Sequence, residues 1–349
     1  TGKGVQKNID EAIVWYRSAA ERGHAQARYE LAELNMHGGL QNYEEAFAIY
    51  TESAAEGVVG AQYNLALCYD KGLGVAVNED LAYMWYRKAA EQGHAEAQMA
   101  LGDCYTLGKG VEANTWDAFN WYRSAAEQGV VEAQCRMGDC YSKGSGVMQN
   151  YGEAVNWYRR ASEGGSAEAM YALAQCYEQG LGVTRDEFTA VSWYGKAAEK
   201  EHPVAQYRIA EGYYTGNGKV KDNASAFDWY KRSAQLGYGP AQYMLGKFYA
   251  DGDVVARSMS DAARWYLMAA ENGVAKAQYE VAQCYTTGNG IAPNEDEAAM
   301  WYEAAAEQGH VLAQYEIAQY YWHGVGVKRD INLSLIHISE PTRRRGISY

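Results

Sequence analysis

The sequence predicts an all-α solenoid of about nine helix-turn-helix repeats, each 36 residues long. Three periodic features carry that expectation. Trp85, Trp121, Trp157, Trp193, Trp229, Trp265 and Trp301 stand at strict 36-residue intervals, each followed by Tyr, and Trp15-Tyr16 and Ile49-Tyr50 continue the series backwards. A short polar residue recurs in a second phase, and glycine in a third and a fourth. A fixed period of this size marks stacked supersecondary units, each packing only on its neighbours. A compact fold of 349 residues would be divided into two or more domains; a solenoid escapes that limit.

Each unit opens on the short polar phase: Asn8, Asn42, Asn78, Asn114, Asn150, Asp186, Asp222, Ser258, Asn294 and Asp330. All ten are residues whose side-chain oxygen accepts an orphaned backbone N–H at a helix start. Three positions on stand Glu11, Glu45, Asp117, Glu153, Asp261 and Glu297, close to a capping box. The first helix follows. In the unit 78–113 its apolar set is Ala82, Trp85, Tyr86, Ala89 and Ala90, one face of a 3.6-residue period.

Glycine closes that helix at positions 23, 57, 93, 129, 165, 237, 273 and 309, supplying a left-handed turn. Glu201 and Pro203 replace it in one unit, so a different turn is expected there. The second helix carries Ala97, Leu101, Cys104 and Tyr105 on one face. A Gly-x-Gly-Val connection, as at Gly108/Gly110 and Gly144/Gly146, returns the chain to the next cap. The connection at Gly38-Gly39 is two residues shorter, and Gly252-Asp-Val departs from the pattern.

The string A-x-x-W-Y-x-x-A-A-E-x-G-x-x-x-A-x-x-x-L-G-x-C-Y-x-x-G-x-G-V, read at 82–111, resembles the Sel-one-like repeat family, relatives of tetratricopeptide repeats. The resemblance covers about 1–332. It implies a right-handed α/α superhelix acting as a scaffold or adaptor for protein partners, with the first helices lining the concave surface.

Composition narrows the function. A formal charge of -13 disfavours nonspecific binding to nucleic acid or to an anionic membrane. No apolar run approaches the roughly 18 residues of a membrane span. Cys68, Cys104, Cys140, Cys176 and Cys284 share one phase that Gly212 and Phe248 fill elsewhere, which makes it a packing position rather than a metal or disulfide site. Some secreted members of the resembled family carry two cysteines per unit; their absence here favours a reducing compartment. His24, His94, His202 and His310 share the interhelix turn with Val130, Ser166 and Val274, so they read as turn residues, not catalysts. The Gly-x-Gly pairs follow helices and lack the Lys-Ser/Thr of a phosphate loop. No nucleophile-elbow or zinc-hydrolase motif occurs. The array is therefore expected to be non-enzymatic, with no cofactor and no metal.

Both ends depart from the pattern. The opening TGKGVQKN matches LGKGVEAN at 107–114, so the array is expected to be a fragment, cut mid-repeat at each end. After Asp330 the series demands an Ala and then Trp-Tyr; instead residues 333–343 resemble an in-frame translation of a sequencing adapter. Residues 333–349 are accordingly read as a non-native tail; without its three Arg and one Glu the array carries -15. A cut after the ninth second helix is expected to expose Tyr315, Ile317, Tyr320, Tyr321 and Trp322 partly or wholly.

What remains for function is the residue after the repeated Tyr: Arg17, Arg87, Arg123, Arg159 and Lys231. One turn earlier stands an apolar row that includes Tyr83, Phe119 and Val155. By the family resemblance both phases point into the concave surface, a basic ladder beside an apolar one. Such a surface suits an acidic or amphipathic peptide or partner domain. The alternative is a targeting or regulatory arm of a larger enzyme, such as a kinase or hydrolase.

Overall fold

The structure, a computed structural model, describes residues 8–37, 42–216, 220–324 and 326. Among them every element is an α-helix, eighteen in all, and each is 13 residues long. The chain forms two compact units that divide between Asp186 and Glu187. The first holds α1 (Ile9–Glu21), α2 (Ala25–His37), α3 (Tyr43–Ala55), α4 (Val59–Lys71), α5 (Glu79–Glu91), α6 (Ala95–Leu107), α7 (Thr115–Glu127), α8 (Val131–Lys143), α9 (Tyr151–Glu163) and α10 (Ala167–Gln179). The second holds α11 (Glu187–Glu199), α12 (Pro203–Thr215), α13 (Asn223–Gln235), α14 (Gly239–Asp251), α15 (Met259–Glu271), α16 (Ala275–Thr287), α17 (Glu295–Glu307) and α18 (Val311–His323). Within each unit the second helix of a repeat lies between its own first helix and the first helix of the next repeat. The Gly38-Gly39 connection, the cap expected at Asp330 and the tail 333–349 fall outside the described residues.

The short polar phase caps the first helices. Asn114 Oδ1 accepts from the backbone N–H of Trp116 and Asp117 at 3.0 and 3.2 Å. The capping box is not closed in its usual way, however. Asp117 takes the side-chain amide of Asn114 at 2.6 Å, while the backbone N–H of Asn114 donates to the Tyr105 carbonyl at 2.9 Å. The same tie joins Asn78 to Tyr69 and Asn150 to Tyr141. Each cap thus anchors its helix to the last turn of the helix before it.

The turns have one geometry throughout. Gly93 has φ 89° and His94 N–H donates to Ala89 O at 3.1 Å. Contrary to the expectation of a different turn, Glu201 adopts the same left-handed conformation, φ 62°, and His202 N–H donates to Ala197 O at 3.0 Å. The hydrogen bonds and packing around that turn outweigh a backbone preference of about 1–2 kcal/mol. The turn histidines acquire a role. Nδ1 of His24, His94, His202 and His310 accepts the backbone N–H three residues on, at 3.1–3.3 Å, so they are the N-caps of the second helices. The Gly-x-Gly connection is a close crossing: a Cβ on Gly110 would stand 2.3 Å from the Glu79 carbonyl oxygen.

Small alanines and large tyrosines fill the core. Tyr122 is buried among Ala118, Ala125, Ala133 and Met137. Its hydroxyl, which donates to Asp103 at 2.7 Å, is held far above the ordinary phenol range by burial first and by Asp103 as well. The repeated Trp fastens one repeat to the next: Trp157 packs on the cluster of α7 and α8, and Trp301 on that of α15 and α16. The cysteines of the repeated phase are buried, and burial raises the Cys68, Cys104, Cys140, Cys176 and Cys284 thiols to about 11. In α18, Ile317, Tyr320 and Tyr321 are buried rather than exposed, while Tyr315 and Trp322 are open. The buried three pack against α16 and α17 on the side that already has a neighbour.

Candidate functional site

The basic row lies where the period places it, on the solvent side of the first helices of the first unit. Arg17, Arg87, Arg123 and Arg159 are all exposed, and each meets a different partner. Arg17 pairs with Glu45 of the next repeat at 3.0 Å, and Arg87 with Glu91 one turn on at 2.7 Å. The Arg123 guanidinium donates to Asn120 at 3.1 Å and that of Arg159 to the Tyr177 hydroxyl at 3.4 Å. Exposed pairs of this kind contribute about 0–1 kcal/mol. Exchanging one for a partner carboxylate therefore costs little. Lys231 is likewise exposed, on α13 of the second unit.

The apolar row is placed differently from expectation. Phe119 and Val155 are only 6% and 2% exposed, so they are core residues and not the wall of an open groove. For Phe119 the physical reason is the second-helix tyrosine. Tyr141 covers Phe119 edge-on, with ring centroids 5.6 Å apart. Tyr105 meets the half-buried Tyr83 in the same way at 5.8 Å, and their hydroxyls are 3.0 Å apart. Burial first, and then the bond to Tyr83, pushes the Tyr105 hydroxyl upward, so it stays a neutral donor and acceptor. The face therefore offers half-buried tyrosines beside arginines, with Phe119 supporting from beneath. The Arg123 guanidinium itself stands 5.8 Å from the Phe119 ring centre.

A second cationic row escaped the sequence reading. Lys88 stands over the Trp85 ring at 4.0 Å and Arg160 over Trp157 at 4.8 Å. In the second unit Lys196 covers Trp193 at 3.8 Å and Arg232 covers Trp229 at 4.7 Å. The signal was present as Trp-x-x-Lys/Arg, an i,i+3 pair that brings both side chains to one helix face. On α9 the two rows converge. Arg159, Arg160 and Trp157, with Glu153, Asn156 and Glu163, border a hollow of about 500 Å³.

Among the described residues no cluster of three or more His, Cys, Asp or Glu is placed to hold a metal ion. No described helix is long and apolar enough to cross a membrane.

Comparison with known proteins follows this geometry closely. The Sel1 repeat pattern matches residues 1–24, 25–58, 59–94, 95–130, 131–166, 167–202, 203–238, 239–274, 275–310 and 311–338. Its frame begins at the second helix, so each interior match joins the second helix of one repeat to the first helix of the next, with a partial match at each end. A crystal structure of a protective antigen from uropathogenic Escherichia coli, displaying an SLR fold, is 32% identical. It superposes with a TM-score of 0.62 over 95% of this chain and 79% of its own. A Sel1 repeat protein from Oxalobacter formigenes is 30% identical, with a TM-score of 0.63 over 87% of this chain and 89% of that one. An exopolysaccharide production negative regulator of Rhizobium meliloti is 40% identical over 76 residues, 18% of this chain. An uncharacterised protein of Neisseria meningitidis is 31% identical over 72 residues, 21% of this chain. The chain spans 28% and 15% of the length of those two curated relatives. Sel1 repeat arrays generally mediate protein–protein interaction, and this chain belongs to the Sel1 repeat family.

Proposed function

We propose that this member of the Sel1 repeat family is a non-catalytic scaffold that holds a peptide or partner domain on the face carrying Arg17, Arg87, Arg123 and Arg159. That face is the one the family resemblance makes concave. The observation that carries the reading is the hollow over α9, where Arg159 and Arg160 flank Trp157. A guanidinium held against an indole keeps its outward N–H groups free for a carboxylate, and the ring supplies apolar contact. Acidic and amphipathic segments fit that pairing. Lys231 extends the same chemistry to the second unit. Retention of binding partners by the wild-type chain should be lost when Arg87, Arg123 and Arg159 are all changed to Glu. Unchanged recovery of partners by that variant would sink the assignment of this face.

A second reading, an arm that targets a larger enzyme or regulator, draws on the curated relatives, in which the matched segment is a minor part of a longer chain. The length of the uninterrupted coding sequence decides between the two.

A further inference from the structure

Buried amides link several successive repeats, and at Gln206 one such link is left half made. Gln98 Nε2 donates to Ala90 O, and Gln98 Oε1 accepts from Gln128 Nε2 of the next repeat at 2.7 Å. Gln62 with Gln92, Gln242 with Asn272, and Gln278 with Gln308 repeat the arrangement at 2.7–2.8 Å. Gln206 keeps the first half: its Nε2 donates to Ala198 O at 3.1 Å. The second half fails because Leu236 occupies the place of the donor. Gln206 is 3% exposed, and its Oε1 has no hydrogen-bond partner. A buried acceptor left unpaired costs about 1–3 kcal/mol.

Beside that gap lies a hollow of about 310 Å³, bordered by Gln206, Leu236, Glu199, Glu201, Gln235 and Arg232. Leu236 is 46% exposed, so its side chain has room to move aside. Arg232 is engaged over the Trp229 ring, whereas Glu199 and Glu201 are both exposed to solvent. Two carboxylates against one cation leave the hollow acidic, in a chain of net charge -13. The unmet need is for an N–H donor, and the surrounding charge favours a cationic one.

We propose that this hollow is a second recognition site, distinct from the arginine face, which takes the guanidinium of an arginine side chain from a partner protein. The guanidinium donates to Gln206 Oε1 in place of the missing repeat amide and to the carboxylates of Glu199 and Glu201. Its planar fork of five donors serves three acceptors at once, which an ammonium or a carboxamide does not.

The test uses the whole chain and the peptide acetyl-Gly-Arg-Gly-amide, followed by NMR of the Trp229 indole and the Gln206 side-chain amide. Saturable shifts are expected with the arginine peptide and not with acetyl-Gly-Gln-Gly-amide. Leu236→Gln restores the repeat amide, so its melting temperature should rise while peptide affinity falls about tenfold, the equivalent of about 1.4 kcal/mol. Glu199→Gln with Glu201→Gln should weaken binding by a similar factor and remove its salt dependence. The proposal is overturned if the arginine peptide gives no saturable shift, if the glutamine peptide binds equally, or if Leu236→Gln binds as well as wild type. A rise in stability of Leu236→Gln, together with no arginine binding by the wild-type chain, would confirm the gap and still reject the site.

Discussion

The side chains of Gln98 and Gln128 meet at 2.7 Å across the boundary between two repeats, and one of them is buried. Gln98 also holds the carbonyl of Ala90, so one amide ties the end of α5 to the end of α7. Replacing Gln128 with Leu reproduces in the first unit the condition found at Gln206. Gln98 Oε1 would then be buried and unpaired, at a cost of about 1–3 kcal/mol. Amide exchange in α6 to α8 should quicken accordingly, with little change in α16 and α17 of the second unit. Uniform acceleration through both units would contradict a local link.

Glu201 is the one described non-glycine residue with positive φ. The left-handed conformation costs a non-glycine residue about 1–2 kcal/mol, and glycine returns about 0.5–1 kcal/mol of that as unfolded-state entropy. Glu201→Gly should therefore stabilise the second unit by about 0.5–1 kcal/mol, read from the midpoint of urea unfolding. A loss of stability would show that the Glu201 side chain makes a compensating contact.

The histidine caps introduce a pH dependence. Burial holds the imidazoles of His94 and His310 below the ordinary histidine range; Glu96 opposes this at His94, and Lys276 adds to it at His310. Nδ1 must be unprotonated to accept the N–H of Ala97 or Ala313. Because the folded pKa lies below the unfolded value, the unfolded chain binds more protons between the two. The caps' contribution is whole above about pH 6.5 and is lost as pH falls through the lowered folded value. His94→Asn with His310→Asn keeps a side-chain cap that does not titrate. The loss of melting temperature between about pH 7.5 and 5.5 should be smaller in that variant. An equal loss would place the acid sensitivity elsewhere.

Gly110 is held by two constraints together. Its φ is 64°, and an added Cβ would meet the Glu79 carbonyl, which belongs to helix backbone and cannot turn away. Gly110→Ala should cost about 2–4 kcal/mol, the left-handed preference plus overpacking. Gly93 also has a positive φ, 89°, but open space around it, so Gly93→Ala should cost only the net conformational part, about 0.5–1 kcal/mol. Equal losses in the two variants would show that the crossing at Glu79 relaxes freely.

Helix positions, caps and turns were legible in the chain because they are local and repeat: Asn114, Gly93 and Trp121 each satisfy a requirement of their own backbone or helix face, and the 36-residue period multiplies the signal. Even the substitution at Glu201 was visible, although its outcome was not, since neighbouring hydrogen bonds and packing decided the turn. The candidate site was legible in half. The arginines stand exposed as their phase demands, but Phe119 and Val155 lie beneath neighbouring structure. Whether a residue on one helix is open depends on a tyrosine twenty-two positions away, and no helical period reports that contact. The same holds for Gln206 and Leu236: nothing in either residue type marks a fault until the two are brought together. Local hydrogen bonding and side-chain periodicity are written along the chain, so sequence alone determined the repeat, its family and its basic row. Burial and polar pairing arise between segments distant in sequence, so only the tertiary structure decided which side chains face a partner and which acceptor was left without a donor.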